Sequence, residues 1–203
     1  MTVSDQLTIG VLALQGDYDA HRQTLNRLGV RNVLVRKPEE LDRIDGLVIP
    51  GGESSTFLKF LEREGFLTKL REFVAQKPSF GTCAGAILLA KDVINPSQQS
   101  LGVLDIAIQR NAYGRQIDSS IMTAPTKLDG APMEMVFIRA PRIERTGASV
   151  EVLAERDDYP VLVRQGRTLA ATFHPELSSD TRVHELFLNM VREQKESDAR
   201  VAD

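Results

Sequence analysis

One cysteine and three histidines are all that this 203-residue chain offers for thiol or imidazole chemistry. Cys83 stands in Gly81-Thr82-Cys83-Ala84-Gly85, between a segment that reads as a strand and the apolar run 86–90, which reads as a helix. Small residues on both sides permit a sharp strand-to-helix turn, the layout of a nucleophile elbow, which aims the side chain into the cleft at a sheet's carboxyl edge. Unpaired N–H groups at the helix start favour a thiolate there. A solitary cysteine is by default a small buried hydrophobe; the flanking glycines and the strand-to-helix position turn the reading towards function.

A nucleophilic cysteine requires a base. His21 falls on the apolar face of the helix expected from Asp17, where a hydrogen-bonded core histidine is the simpler reading, and His184 lies beside the packing stripe of the last expected helix, structural or solvent-facing. His174 differs, because Phe173-His174-Pro175-Glu176 follows an expected strand directly. Pro175 biases His174 to an extended backbone, in which residues i and i+2 project to the same side. Glu176 can then reach the imidazole, fix its tautomer and raise its basicity, as a triad requires. Alone, a His-x-Glu is an incidental turn; beside a cysteine elbow it gains meaning.

The loop Pro50-Gly51-Gly52-Glu53-Ser54-Ser55 follows another expected parallel strand. Its glycines expose backbone N–H groups, and the one at Gly52, with that of Ala84, would make an oxyanion hole for a tetrahedral acyl intermediate. By itself this loop is a tight turn into a helix. No Gly-Lys-Ser or Gly-Lys-Thr follows, so it is no phosphate-binding P-loop.

These groups must be held by elements. Residues 9–14 and 46–49 are continuous apolar runs of the kind buried on both faces of a parallel sheet, with a shorter strand at 33–35. Helices are expected from Asp17 to a left-handed cap at Gly29, from a capping Ser54 to Gly65, and over 66–75. Strand alternates with helix over residues 8–91, which argues for a right-handed parallel sheet. The expected class is therefore α/β: three layers, a mostly parallel, flavodoxin-like sheet flanked by helices. The second half carries β-branched segments at 103–109, 119–124, 133–138, 150–154, 161–165 and 169–173, read as antiparallel additions to the sheet, then a helix over 180–192 and a frayed polar tail.

Length and composition close off other classes. The chain fits one domain, residues 1–203, with a core at about 7–193. With 25 Lys and Arg against 28 Asp and Glu, the net charge of -3 gives no basic field for nucleic acid or an anionic bilayer. One cysteine allows neither an intramolecular disulfide nor a cysteine-based zinc cage. The start MTVSDQLTIG lacks a signal-peptide pattern, and the longest apolar run, 83–90, is too short to span a bilayer, so no membrane role and a cytoplasmic location are expected.

Taken together, these features resemble the class I, or triad, glutamine amidotransferases, with a cysteine elbow followed far downstream by His-Pro-Glu. Within that superfamily the chain is most similar to the glutaminase subunits of pyridoxal 5'-phosphate synthase. Six ordered blocks carry the likeness: GVLALQGD (10–17), PGGESS (50–55), FGTCAGAILLAK (80–91), QRNAYGRQ (109–116), VFIRAP (136–141) and FHPEL (173–177). Ile87 stands where many amidotransferases have glutamine, which suits the vitamin B6 subfamily.

The resemblance implies Cys83 as nucleophile, His174 as general base and acid, and Glu176 as its orienting partner. It implies an L-glutamine site from Gly51, Gly52, Glu53, Arg110, Ile138 and Arg139, whose arginines suit a carboxylate, and it sets Gln15 near the oxyanion region. No metal or cofactor is implied. The implied partner is a synthase subunit in a large hetero-oligomer, which takes the ammonia and builds pyridoxal 5'-phosphate from pentose and triose phosphates. Two rivals stand beside this reading. A peptidase-like or chaperone-like relative would draw its acidic partner from elsewhere than His-Pro-Glu, and an inactive regulatory subunit would be expected to have lost part of the triad.

Overall fold

The computed structural model of the chain describes residues 7–110, 112 and 119–202. In the first half, β1 (Thr8–Leu12), β2 (Arg31–Val35), β3 (Gly46–Ile49) and β4 (Ser79–Thr82) alternate with α1 (Tyr18–Arg27), α2 (Ser54–Leu61), α3 (Phe66–Gln76) and α4 (Ala84–Leu89). The second half holds β5 (Ala90–Ile94), β6 (Leu104–Gln109), β7 (Ser119–Ala124), β8 (Met133–Ile138), β9 (Arg142–Thr146), β10 (Glu151–Arg156), β11 (Tyr159–Gln165), β12 (Thr168–Ala171) and α5 (Arg182–Ala202).

The main sheet has seven strands in the order β10-β11-β12-β4-β3-β1-β2. All pairs from β12 to β2 are parallel. Their order is that of the flavodoxin-like doubly wound sheet, which places ligands at the strands' carboxyl ends. The continuous apolar runs follow from two-sided cover. Leu12, Leu47, Ile49 and Ala170 face the layer of α2, α3 and α4. Ile9, Val11, Val48, Phe80 and Leu169 face the layer of α1 and α5. Successive strand residues point to opposite faces, so each residue of a central strand needs an apolar neighbour.

The second half differs from expectation in its assembly. Antiparallel additions are present, but only β11 and β10 are of that kind in the main sheet. The segment expected as antiparallel at 169–173 is β12, which runs parallel to β4. The remaining strands build a separate β5-β6-β9 sheet, whose β5–β6 pair is parallel, and a β7–β8 hairpin. Residues read as the end of a helix at Ala90 open β5 instead. The last helix does not stop at 192: α5 runs to Ala202, its exposed final turns carrying i,i+4 contacts from Gln194 to Asp198 (2.7 Å) and Arg200 to Glu196 (3.7 Å). No helix among the described residues is long and apolar enough to cross a membrane.

Backbone meets backbone around the elbow. A Cβ built on Gly81 would lie 2.5 Å from the Gly85 carbonyl carbon, and one on Gly85 only 2.0 Å from the Ile49 carbonyl oxygen. These glycines let β4, α4 and β3 close around Cys83. Gly85→Ala is expected to lower stability by about 1–3 kcal/mol, read as a fall in the urea midpoint at unchanged m-value.

Candidate active site

Cys83 links β4 to α4 with φ 47° and ψ −104°, a region that non-glycine residues rarely occupy and that marks sites where function holds the strain. Its N–H donates to the Ala171 carbonyl (2.9 Å), which ties the elbow to β12. Three residues beyond β12, His174 is fixed by its own N–H to the Val136 carbonyl (2.8 Å). Pro175–Leu177 then form a 3-10 turn with Pro175 in its first turn. That turn, rather than the extended run expected from Pro175, brings Glu176 back to the imidazole. His174 Nδ1 lies 2.8 Å from Glu176 Oε1, with both side chains buried, and the Cys83 side chain acts on the same ring.

The electrostatics of the trio follow from this packing. Burial disfavours a charged His174, but the hydrogen bonds to Cys83 and Glu176 and their charges prevail and raise it to about 10. Glu176 is likewise opposed by burial, yet His21 and the hydrogen bond from His174 hold its carboxyl below the usual range. The result is an imidazolium facing a sulfur at neutral pH, the state that activates cysteine nucleophiles.

The trio opens into a cleft of about 270 Å³ lined by Gly52, Glu53, Cys83, Arg110, Ile138, Arg139 and His174, among others. Its residues lie past the carboxyl ends of β3, β4 and β12 in the main sheet, with Arg110 just after β6 and Ile138 and Arg139 at the end of β8. Glu53 caps α2, accepting from Ser55 N (3.0 Å) and Thr56 N (2.6 Å), the part expected of Ser54. Burial works against its charge, but these bonds pull it down to about 2. Arg110 donates to Glu53 (3.3 Å) and to Ser55 Oγ (2.6 Å). Asp17, His174 and Glu176 also offer one ligand atom each within 4.8 Å of one another, but two of the three are already paired with each other.

Residues 11–193 match the SNO glutamine amidotransferase family. The chain belongs to this family. It is 69% identical over 186 residues to a pyridoxal 5'-phosphate synthase subunit PdxT of Koribacter versatilis, covering 92% of this chain and 96% of the relative. The PdxT subunit of Thermosipho africanus is 51% identical over 187 residues, covering 92% and 100%. A crystal structure of a glutamine amidotransferase superposes with a TM-score of 0.83 at 46% identity, covering 90% of this chain and 98% of that one.

For this glutamine amidotransferase, most residues singled out in the sequence come together. Cys83, His174, Gly52, Glu53, Arg110, Ile138 and Arg139 line one cleft, with Ile87 beside them. Ala84 starts α4 next to the cysteine, and Gly51 packs on the His174 ring, where a Cβ would come within 2.6 Å. Gln15 reaches the glycine loop and accepts the Glu53 N–H (3.1 Å). Glu53 differs from a free ligand group, since its carboxylate is engaged by the helix start and Arg110. Of the 109–116 block, residues 111 and 113–116 lie outside the described residues. Sequence reading did not place Asp17 and Ser54 in the cleft; their positions just past β1 and β3 were the available signal. It read His21 as a hydrogen-bonded core histidine and His184 as structural or solvent-facing; both are fully buried and share a hydrogen bond of 3.0 Å.

Proposed function

We propose that the chain is the glutaminase subunit of a pyridoxal 5'-phosphate synthase, hydrolysing L-glutamine to L-glutamate and passing the ammonia to a synthase subunit. The supporting observation is the buried Cys83–His174–Glu176 line at the strained elbow, in a chain whose curated relatives bear that subunit's name. The Cys83 thiolate attacks the side-chain carboxamide carbon. Backbone N–H groups of Gly52 and Ala84 take the oxyanion. His174 gives its proton to the departing ammonia, leaving a thioester. Water then loses a proton to His174 as it attacks the thioester, and glutamate is released with the thiol restored.

Glutamine is held at its other end. Arg139 adopts φ 44° at the cleft and, among the described residues, has no ion-pair partner, so it is the cation open to the α-carboxylate. Arg110 is already engaged by Glu53 and Ser55 and frames the site, with Ile138 and Gly51 shaping its walls. The curated relatives are named as subunits of a synthase, which supports a hetero-oligomeric partnership. A reduced thiol suits the cytoplasm.

The test is a glutamine-analogue electrophile offered to the full chain together with its synthase subunit. Intact-mass spectra should show one adduct, mapping to Cys83, with glutamate release lost in parallel. An active complex that takes up no adduct would refute the mechanism.

A further inference from the structure

Behind the proposed triad, outside the cleft, lies a second imidazole. His21 on α1 is completely buried. Its Nδ1 is 3.0 Å from His184 Nε2 on α5, and its Nε2 is 3.0 Å from Thr82 Oγ1 and 3.4 Å from Glu176 Oε2. Glu176 has committed Oε1 to His174, while Oε2 is buried without a hydrogen-bond partner. His21 is the group that faces it.

The proton positions follow from what each alternative would bury. Were Nε2 of His21 bare, its lone pair would point at a carboxylate oxygen. Nδ1 would then donate to His184 Nε2, leaving the proton of neutral His184 on Nδ1, which has no partner. An orphaned buried donor and a lone-pair clash would both result. With the proton on His21 Nε2, both disappear: the N–H donates to Thr82 Oγ1 and sets its positive end beside Glu176 Oε2, and Nδ1 accepts from His184 Nε2–H. The unpartnered His184 Nδ1 is then only a bare acceptor.

We propose that His21 is a positioning residue of the triad: with its tautomer set by His184, its Nε2–H holds the Glu176 carboxylate in the rotation that presents Oε1 to His174. This rests on the glutaminase reading above. The rings are kept in place by Phe80, which meets His21 and His184 edge to face at centroid distances of 6.1 and 5.6 Å. The charged groups acting on the pair are Glu176 and His174 beyond β12, Asp17 at the start of α1 and Arg27 at its end. Burial outweighs them and pushes both histidines below their ordinary values, so His21 orients the carboxylate as a neutral donor without cancelling its charge.

The experiment compares His21→Leu and His21→Gln in the full chain, assayed with its synthase subunit, with Cys83→Ala as control. The leucine variant is expected to lose roughly 10-fold in kcat, the lower end of what removing an outer hydrogen-bond partner does, with KM little changed. With Glu176 free to rotate, the His174 imidazolium is less stabilised, so the alkaline limb of the kcat profile moves to lower pH. Glutamine at position 21 keeps an amide donor and should recover much of both. Parent-like kcat and an unmoved limb in a folded His21→Leu chain, with Cys83→Ala inactive, would overturn the positioning role alone. Glutamate release by Cys83→Ala would overturn the triad reading with it. If His21→Leu does not fold, His184→Leu carries the same test, since it frees His21 to switch tautomer: a limb shifted to lower pH supports the role and an unmoved limb overturns it.

Discussion

Cys83→Ala is expected to lower glutamate release by the complex about 10⁴-fold or more in kcat, the scale at which loss of a triad nucleophile is felt. Nothing in the cleft can replace the sulfur. Ser54 lines it too, but its hydroxyl donates to Gln98 (3.0 Å). Glutamine binding should survive, because Arg110, Arg139 and the glycine loop are untouched. Paired measurements of glutamate release and of glutamine affinity by calorimetry separate the two effects. A variant within tenfold of the parent rate would show that another group attacks the amide.

Glu176→Gln is expected to cost about 10³- to 10⁴-fold in kcat, the size seen when a triad carboxylate becomes a carboxamide. The reason is the pair of histidine nitrogens that converge on it. His174 Nδ1 meets one oxygen at 2.8 Å and His21 Nε2 the other at 3.4 Å. A carboxamide has one oxygen and one NH₂ group, so one histidine must face a donor. If His174 does, it takes the tautomer with its proton on Nε2 and can no longer accept one from Cys83. If His21 does, the contact becomes repulsive. In both arrangements the negative charge that keeps His174 protonated is gone, so the alkaline limb of the rate profile should also fall. Steady-state rates from pH 6 to about 10 read both consequences, and a near-parent rate would remove Glu176 from the mechanism.

How far the sequence carries this protein depends on whether a feature is local. The elbow was legible because small residues around a cysteine, strand before and helix after, are a short-range pattern, and the structure bears it out in the positive φ of Cys83. The β3 limits at Gly46–Ile49 and the β8 limits at Met133–Ile138 were legible for the same reason. Sheet membership was not. Alternation in β6 or β9 says that one face is buried, and carries nothing about which sheet provides the neighbour. The reach of α5 was hidden because its last turns are polar, and polarity alone does not distinguish a solvated helix from a loose tail. His21 and His184 are 163 positions apart. They meet only because α1 and α5 cover the same face of the sheet, and no spacing rule connects them.

The confinement of every histidine to one buried cluster has an electrical consequence. His184 is driven to about 3, first by burial, and His21 is lowered for the same reason, so neither gains a proton near neutrality. His174, raised to about 10, never gives one up there. Histidine is the side chain whose ordinary titration falls between about pH 5 and 8. Near neutrality, then, none of the three changes its charge. Histidine titration therefore adds no step to the chain's electrophoretic mobility at neutrality.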